Sequence, residues 1–552
     1  MMQKFEQFIH SVLVEERKQK LVLLFTLLAF FAAVMMFPTK IVLAKMLPGK
    51  STNTFSIYID LPNGSSYQET NAVNACVVGI LQQEKEIQNI EVFNGMGSPL
   101  DYAGLVKGSG LKSGEYVSEI VVNLSDLHQR NERSFAMVHR LRPIIQKSCE
   151  SLIAQTSIKM VEQPAGPPTM AALVVELYGD NASALNALGQ RIKQILAQTK
   201  DLVDVDMLAD KIFDKYVLVP DKEKVIRSHL SLAQINELLY LSFEGEHVAH
   251  KNSESSPSQI PLFVVLSEAS KSLPYASKEE LSAKLSALKL MNTQGMMVPL
   301  SEVVHVEKVK STPTIMSKNL QTMVSIVAEA DLVSQVYPLL DARSRIQDTL
   351  KDEFEISRSH LFDLTLKDKK SGEVFNLVWD GEMKVTMDTF RDLGGAFIAA
   401  LILIFLLMVV YYKSFALSGI VLLGSFLSII GVIVGHWIMD LFTSTTFFLT
   451  ATSLIGFISL MGISSRNALL LIDFTKALMT QGMDKQEAIA KASATRAKPI
   501  VLTAAAIILA STLLATDPIF GGLGVALIFG TIAAVIVSLI VVPVLMSNTK
   551  AI

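Results

Sequence analysis

The chain has 552 residues, of which 50% are hydrophobic and only 18% are charged. Its mean hydropathy of +0.40 is too high for an ordinary soluble protein and indicates membrane-spanning segments. The formal net charge of −3 gives no indication of a nucleic-acid partner.

The chain opens with a charged segment, QKFEQFIHSVLVEERKQK, followed by a long apolar run. We predict a cytoplasmic interfacial helix over residues 1–20 and a first transmembrane helix over residues 21–38, ended by Pro38. About 20 apolar residues are needed to cross a bilayer. The first twenty residues are too charged for a signal peptide, and no small-residue cleavage site follows the apolar run.

Residues 39–391 contain no further span, and their pattern predicts repeated strand–helix units. Units of this size favour small split βαβ sandwiches, with one helical layer on one sheet. The predicted strands are TFSIYID, GEYVSEIVVNL, MAALVVELYGD, KYVLVP, PLFVVL, VPLSEVVHVEKV and TMVSIVAEAD. The predicted helices are Tyr67–Gln88, Glu132–Ala154, Asn181–Gln198, SLAQINELLYLSF and Val336–Leu350. The polar stretch HKNSESSPSQ is predicted to be a surface loop.

The chain has two cysteines, Cys76 and Cys149, without metal-ligand spacing. They could form one disulfide in an oxidising compartment. Because both fall in predicted helices, we favour two unpaired, buried thiols.

Five more spans are predicted within residues 392–546, and loop charge sets their orientation. The spans are Gly394–Tyr412, Leu417–Met439, Phe447–Ala468, Pro499–Thr516 and Gly521–Met546. Lys and Arg lie before span one, between spans two and three, between spans four and five, and after span six. By the positive-inside rule, both termini are cytoplasmic and residues 39–391 lie outside. The segment GMDKQEAIAKASATRAKP is amphipathic, and we predict that it lies in the cytoplasmic interface.

Several strings resemble the resistance-nodulation-division (RND) transporters, and specifically the C-terminal half of such pumps. These are MLPGKSTNTFSIYIDLPNGSSYQET, QPAGPPTMAALVVELYGD, VPLSEVVHVEKVKSTPTIMSKNLQTMVSIVAEAD, GISSRNALLLIDF, GMDKQEAIAKASATRAKPIVLTAAAIILA, DPIFGGLG and VVPVLM. The resemblance implies ferredoxin-like porter subdomains over residues 39–168 and over 169–204 with 311–391. It also implies a docking subdomain over residues 205–310, and a cytoplasmic tail at residues 547–552.

Arg466 and Asp473 lie at the end of predicted span four, among apolar residues. Seven residues turn a helix by about 700° and rise about 10 Å, so both side chains share one face. Placing a charge in mid-membrane costs at least about 2.5–3.5 kcal/mol, which favours a bundle interior or a water path. Alternatively, Arg466 could extend to the headgroups, and Asp473 could cap the wet inner end of the span near Lys476. Asn467 adds polar atoms beside them.

By resemblance, Arg466 occupies the place of a lysine that faces an aspartate pair in the other pump half, and Thr503 matches a hydroxyl of the same network. Arginine keeps its proton at physiological pH, so here it could act only as a fixed counter-ion. No span of this chain contains an acidic pair.

The resemblance implies a proton-driven transporter subunit that works with a separate N-terminal-half chain. It also implies a trimeric assembly, a periplasmic adaptor, an outer-membrane channel and a small-molecule or ion substrate. No Ser-His-Asp set, phosphate loop or zinc-spaced cluster is present, so we expect neither an enzyme nor a cofactor. The 23 methionines are scattered and favour core filling over a path for soft metals. The alternatives are an accessory subunit of protein export with the same one-plus-five layout, and a transport-inactive sensor or binding module.

Overall fold

The structure, a computed structural model, describes residues 2–99, 102–162, 166, 169–209, 212–255, 257–271, 277–443 and 445–550. Most of the QPAGPP string and the last two residues of the predicted tail therefore lie outside the described residues. The chain divides into two compact units, one formed by residues 210–314 and the other by the remainder.

Two helices open the chain, α1 (Met2–Val14) and α2 (Glu16–Met35). They are separated by Glu15, whose backbone is extended. The predicted interfacial helix therefore ends at Val14, and the first apolar helix begins five residues before its predicted start at Leu21. The early start adds the charged turn Glu16–Lys20, which an ion pair between Lys20 and Glu16 supports.

Residues 51–162 form an α/β sandwich that we call lobe 1. Its elements are β1 (Thr54–Asp60), α3 (Tyr67–Leu81), β2 (Ile87–Met96), α4 (Tyr102–Lys107), β3 (Ser113–Leu124), α5 (Ser134–Cys149) and β4 (Ser157–Glu162). The antiparallel sheet has the order β2-β3-β1-β4, the split βαβ arrangement of ferredoxin-like folds. The predicted helix Tyr67–Gln88 ends at Leu81 instead, and its last residues enter β2. A capping box at Ser66 and Glu69 fixes its start.

The prediction of two free thiols is wrong, because Cys76 and Cys149 form a disulfide with an S–S distance of 2.03 Å. Both cysteines are helical, as predicted, but α3 and α5 pack against each other over the sheet of lobe 1. Their Cα atoms are 5.8 Å apart, a separation that a disulfide bridges without backbone movement. Helical secondary structure therefore did not argue against pairing.

After β5 (Leu173–Tyr178), α6 (Ala182–Ala197) and β6 (Leu202–Leu208), the chain enters the compact unit of residues 210–314. That unit contains β7 (Asp214–Pro220), α7 (Lys222–Arg227), α8 (Leu232–Phe243), β8 (Glu246–Lys251), β9 (Ile260–Val264), α9 (Glu268–Lys271), α10 (Lys278–Ala287), β10 (Lys289–Met291), β11 (Met297–Pro299), α11 (Leu300–Val303) and β12 (Val304–Lys310). β7 pairs with β12. An apolar core that includes Ile235 of α8 and Leu285 of α10 packs these helices against the two strands. The string VPLSEVVHVEKV, predicted as one strand, is divided by α11. The role of residues 205–310 as a docking subdomain stays a prediction.

The chain then completes a second α/β sandwich, lobe 2, formed by residues 169–209 and 315–381. The added elements are β13 (Met316–Lys318), β14 (Gln321–Ala330), α12 (Val336–Leu350), β15 (Phe354–Arg358), β16 (Leu364–Asp368) and β17 (Val374–Asp380). The sheet runs β13-β14-β5-β17-β16-β15, with β6 also paired to β14. The segment β17-β5-β14-β6 repeats the ferredoxin-like order of lobe 1. Helices α6 and α12 cover it through one apolar core.

The remaining residues form long apolar helices. They are α13 (Glu382–Tyr412), α14 (Phe415–Leu427), α15 (Ile429–Phe442), α16 (Ala451–Thr480), α17 (Lys485–Ala515), α18 (Gly521–Ile536) and α19 (Val542–Asn548). Counting α14–α15 and α18–α19 as one helix each, six helices of the described residues are long and apolar enough to cross a membrane. A π-helical segment, Val537–Val541, joins α18 to α19.

Helix α17 runs continuously through Pro499, from the amphipathic segment into predicted span five. The interfacial location of its first half stays a prediction. Its first half buries Ala488, Ile489 and Ala492 in a core shared with Ile9 and Leu13 of α1. The apolar face of this half therefore packs against protein, and the charged face remains outside.

Candidate functional site

The centre of the helical bundle is formed by three of the six apolar helices. In α14–α15, α16 and α18–α19, 56% of the most apolar window is buried within the chain. The corresponding values for α2, α13 and α17 are 11%, 6% and 17%. Helices α2, α13 and α17 therefore leave most of their apolar surface uncovered by this chain.

Arg466 lies at the middle of α16, sixteenth among its 30 residues. At 1.5 Å per residue, either end of the helix is about 21 Å or more away. Its side chain is exposed on the surface of the chain. No hydrogen bond or ion pair joins it to another of the described residues. Arg466 therefore has no counter-charge among the described residues, and it lies toward the end of the predicted span Phe447–Ala468.

Arg466 belongs to a continuous exposed stripe along α16. Ile455, Ser459, Gly462 and Leu470 share this face and are also exposed. Nothing lies within 4 Å of the position that a Cβ would take at Gly462. The stripe thus combines a cation, a hydroxyl and a small residue on the uncovered side of a helix whose other side is packed.

Asp473 lies further along α16 and is half-buried. One of its carboxylate oxygens accepts a hydrogen bond from the Tyr411 hydroxyl of α13, at 3.0 Å. The ammonium group of Lys476 lies 4.8 Å from the ring centre of Tyr412 and makes no ion pair with Asp473 among the described residues. Tyr411 was not singled out from the sequence. Its position at the polar end of a predicted span was the available signal.

The other two predicted site residues do not gather around Arg466. Asn467 is 5% exposed and turns into the bundle, as does Ser465, whose hydroxyl lies 2.9 Å from that of Ser425 in α14. Thr503 is exposed on α17, and its hydroxyl donates to the Pro499 carbonyl at 2.6 Å. In this chain Arg466 is therefore an isolated cation, and Asn467 and Thr503 are polar groups that do not contact it.

The N-terminal end of α16 is connected to the segment that follows α2. Backbone hydrogen bonds join Lys45 N to Leu449 O at 3.0 Å and Ala451 N to Met46 O at 3.1 Å. His436 of α15, which we did not predict as a site, is fully buried there. Its Nδ1 donates to the Val432 carbonyl at 2.7 Å, and its Nε2 accepts from the Ser453 hydroxyl at 2.8 Å.

Lys45 and Met46 also line a cleft between lobes 1 and 2. The cleft has a volume of about 160 Å³, and its charged lining residues include Lys107, Glu162 and Glu329. Burial raises the pKa of Glu162 to about 7, in spite of the nearby cations Arg142 and Lys45. Among the described residues, no group of three or more His, Cys, Asp or Glu side chains could hold a metal ion.

Comparison with known proteins agrees with this architecture. The model of the AcrB/AcrD/AcrF family matches residues 1–548. The swarming motility protein SwrC of Bacillus subtilis (strain 168) is 24% identical over 380 residues, which is 67% of this chain and 32% of SwrC. Two crystal forms of a heavy metal efflux pump have a TM-score of 0.71 and 16% identity, covering 98% of this chain and 51% of the pump.

The chain thus spans about half the length of the solved pump and about a third of SwrC. At 16% identity, the likeness to the pump shows the fold alone. The family match extends over both lobes, the unit of residues 210–314 and all six apolar helices. The chain therefore belongs to the AcrB/AcrD/AcrF family of RND transporters.

Proposed function

We propose that this chain is the inner-membrane permease subunit of a proton-driven efflux pump, equivalent to a C-terminal half. It works with a separate chain that supplies the N-terminal half and the carboxylates that face Arg466. The observation that carries the proposal is Arg466 itself, exposed at the middle of α16 and without a partner among the described residues.

The uncovered surfaces of the bundle support a second membrane chain. The stripe on α16 and the apolar faces of α13 and α17 are open in this chain. A helix pair whose contact includes small residues such as Gly462 can approach closely in a membrane. A carboxylate on the incoming helix would remove most of the penalty for a charge at mid-span.

A carboxylate pair beside a fixed guanidinium changes its charge balance when it takes up a proton. Arg466 cannot lose its own proton, so in this scheme it is a counter-ion and the partner's carboxylates carry the proton. Repacking of α16 would then reach the lobes through the backbone hydrogen bonds at Leu449 and Ala451.

The orientation that we propose has both termini in the cytoplasm and the two lobes in the periplasm. Lysines and arginines at the ends predicted to be cytoplasmic support it. The disulfide between Cys76 and Cys149 adds support, because such bonds persist mainly in oxidising compartments. We further propose a trimer of such pairs that joins a periplasmic adaptor and an outer-membrane channel. The substrate, a small molecule or ion, is left open.

The test is efflux in a host that lacks related pumps, with and without a second chain whose fourth span carries two neighbouring aspartates. We expect efflux only when both chains are present, Arg466→Ala to abolish it at normal abundance, and Arg466→Lys to retain part of it. The matched control is Arg391→Ala on α13, because Arg391 is exposed and already paired with Asp388 and Asp392. Normal efflux by Arg466→Ala would remove Arg466 from the mechanism, and efflux by this chain alone would contradict the split arrangement.

A further inference from the structure

Two lysines and a threonine form an exposed polar row on α17, next to the long uncharged run of this helix. Lys491, Thr495 and Lys498 are spaced by four and three residues, so their side chains lie on one face of the helix. Residues 499–516, which follow, contain no charged side chain. The row therefore lies within about 12 Å of the start of the predicted span. We call Lys491, Thr495 and Lys498 the basic face.

The side chains of the basic face have no partner among the described residues. Lys491 and Lys498 are exposed and form no ion pair there, and the Thr495 hydroxyl forms no hydrogen bond. The hydroxyls of Thr503 and Thr512 on the same helix, by contrast, donate to the carbonyl four residues earlier, at 2.6 and 2.9 Å. The two ammonium groups and the Thr495 hydroxyl thus remain available to a ligand.

The cations at the start of α2, which also leaves most of its apolar surface uncovered, are arranged differently. Lys20 of α2 lies 2.9 Å from Glu16. On α17 the acid nearest in sequence to the basic face is Glu487, one turn before Lys491 and farther from the uncharged run. It forms no ion pair with Lys491 in the described chain. Positive charge beside the apolar run is therefore neutralised locally on α2 but not on α17.

The same side of α17 continues into an uncovered apolar surface. Leu502, Leu509 and Leu513 follow the basic face at helical spacing and are 70%, 73% and 81% exposed. Thr503 lies about 120° from Lys491 around the helix axis, so a protein partner at Thr503 would leave this side free. Two cations beside a row of exposed leucines match an amphiphile that has a negative head and apolar chains.

We propose that the basic face binds the phosphate group of an anionic phospholipid, whose acyl chains lie along Leu502 and Leu509. The phosphate oxygens accept hydrogen bonds from the two lysines and from the Thr495 hydroxyl. Lysines at a membrane surface attract anionic headgroups, and their aliphatic stems let the ammonium groups reach the headgroup layer. Two positive charges without a neighbouring anion specify a headgroup of net negative charge. The site requires only that α17 crosses the membrane, and it does not depend on the proposed pump activity.

The experiment measures which phospholipid contacts α17 in the purified full-length chain. Ala506→Cys, at an exposed position one turn after Leu502, carries a small fluorophore. Both native cysteines are joined in the disulfide, so the label attaches only at the new site. The protein is reconstituted in phosphatidylcholine vesicles that contain either brominated phosphatidylglycerol or brominated phosphatidylcholine. Because bromine on an acyl chain quenches a neighbouring fluorophore, the two quenching curves give the association constant of the anionic lipid relative to the zwitterionic one.

We expect the wild-type chain to prefer phosphatidylglycerol. Lys491→Gln or Lys498→Gln should lower the relative association constant about fivefold, and the double substitution about 25-fold. Replacement of both lysines by arginine should retain the preference, because a guanidinium also binds phosphate. Thr495→Ala should cause a smaller loss than either lysine substitution. The matched control is Lys20→Gln on α2, whose charge is already paired with Glu16 and whose loss should leave the constant unchanged.

Equal quenching by brominated phosphatidylcholine in all variants serves as the check that α17 remains in the bilayer. A relative constant close to unity in the wild type, or one that the double glutamine substitution leaves unchanged, would overturn the proposal. Loss of the preference in the presence of millimolar glycerol phosphate would assign the basic face to a soluble phosphate compound instead. Protection of the label from both brominated lipids, in chain purified together with its native membrane partners, would assign this side of α17 to a protein and would likewise overturn the proposal.

Discussion

Arg466 in the helical bundle and Arg142 between lobes 1 and 2 are both arginines, yet their surroundings differ. Arg142 has two carboxylates within 3.3 Å, both supplied by the other lobe of the same chain. Arg466 has none among the described residues and lies at the middle of an apolar helix. The charge of Arg142 is therefore paired within this chain, whereas we propose that the charge of Arg466 is paired by a second chain.

The largest effect is expected for Arg466→Leu, which removes the unpaired charge and with it the difference between the two arginines. In cells without a second chain, removal of the charge should raise the steady-state amount of the membrane-inserted protein. The reason is that an unpaired arginine in a span is unfavourable, at about 2.5–3.5 kcal/mol or more when it lies at the bilayer centre. Quantitative blotting of membranes measures the amount, with Leu470→Ala on the same stripe as the control for lost packing. Unchanged abundance would mean that Arg466 already has a counter-charge without the second chain.

The second prediction concerns the stability of lobe 1, which the disulfide cross-links. Replacement of Cys76 and Cys149 by serine removes the bond between α3 and α5, and α5 also contains His139 and Arg142. We expect the free energy of unfolding of lobe 1 to fall by about 2–5 kcal/mol. Thermal unfolding monitored in the purified chain, with and without reductant, measures this loss. Wild-type protein in reductant should approach the variant, and a reductant effect that persists in the variant would contradict the assignment.

Features with a local signal could be predicted from the sequence, whereas contacts between residues far apart in the chain could not. Arg466 was found because a charge inside an apolar run is visible within twenty residues. The helix Val336–Leu350 was predicted with its observed ends for the same reason, since its apolar spacing is local. The ion pairs between lobes 1 and 2 were not found, because their partners are far apart in sequence: Lys107 and Glu329 are separated by 222 residues. No period or motif connects them.

The disulfide was missed for a related physical reason. The pairing of Cys76 with Cys149 depends on two helices lying side by side on one sheet, which helix prediction alone does not provide. Tertiary contact thus decided between two arrangements that the local sequence permits.

The third prediction concerns the acid Glu162 of lobe 1, which lines the cleft between the lobes. In the folded chain burial raises the pKa of Glu162 to about 7, against about 4.3 for a hydrated glutamate. The charged groups that face it are Lys45, Arg142, Glu329 and Asp331. At this site the folded state therefore binds more protons than the unfolded state. The stability that Glu162 contributes is present in full below about pH 4.3 and is lost as pH rises through about 7.

Thermal unfolding of the purified chain between pH 5 and 8 at constant salt tests this sign. We expect the stability to fall toward pH 8. Glu162→Gln, which stays neutral, should flatten the dependence. Glu91→Gln is the control, because Glu91 is an exposed acid of lobe 1. A stability that increases toward pH 8 in the wild type, but not in Glu162→Gln, would contradict this sign.

The smallest effect is expected at Asp473, which resembles Arg142 more than Arg466 because its partner lies in the same chain. Tyr411→Phe removes the hydroxyl that donates to Asp473 at 3.0 Å. Tyr411 is an exposed residue, so water or headgroups can replace the lost donor, and the change in stability should stay near or below about 1 kcal/mol. In the complex, efflux by Tyr411→Phe should stay within about twofold of wild type, since 1.4 kcal/mol would correspond to tenfold. A loss as large as that of Arg466→Ala would instead make the Tyr411–Asp473 contact part of the proton path, and Asp473 would then be an acid of this chain that shares the role assigned to the second one.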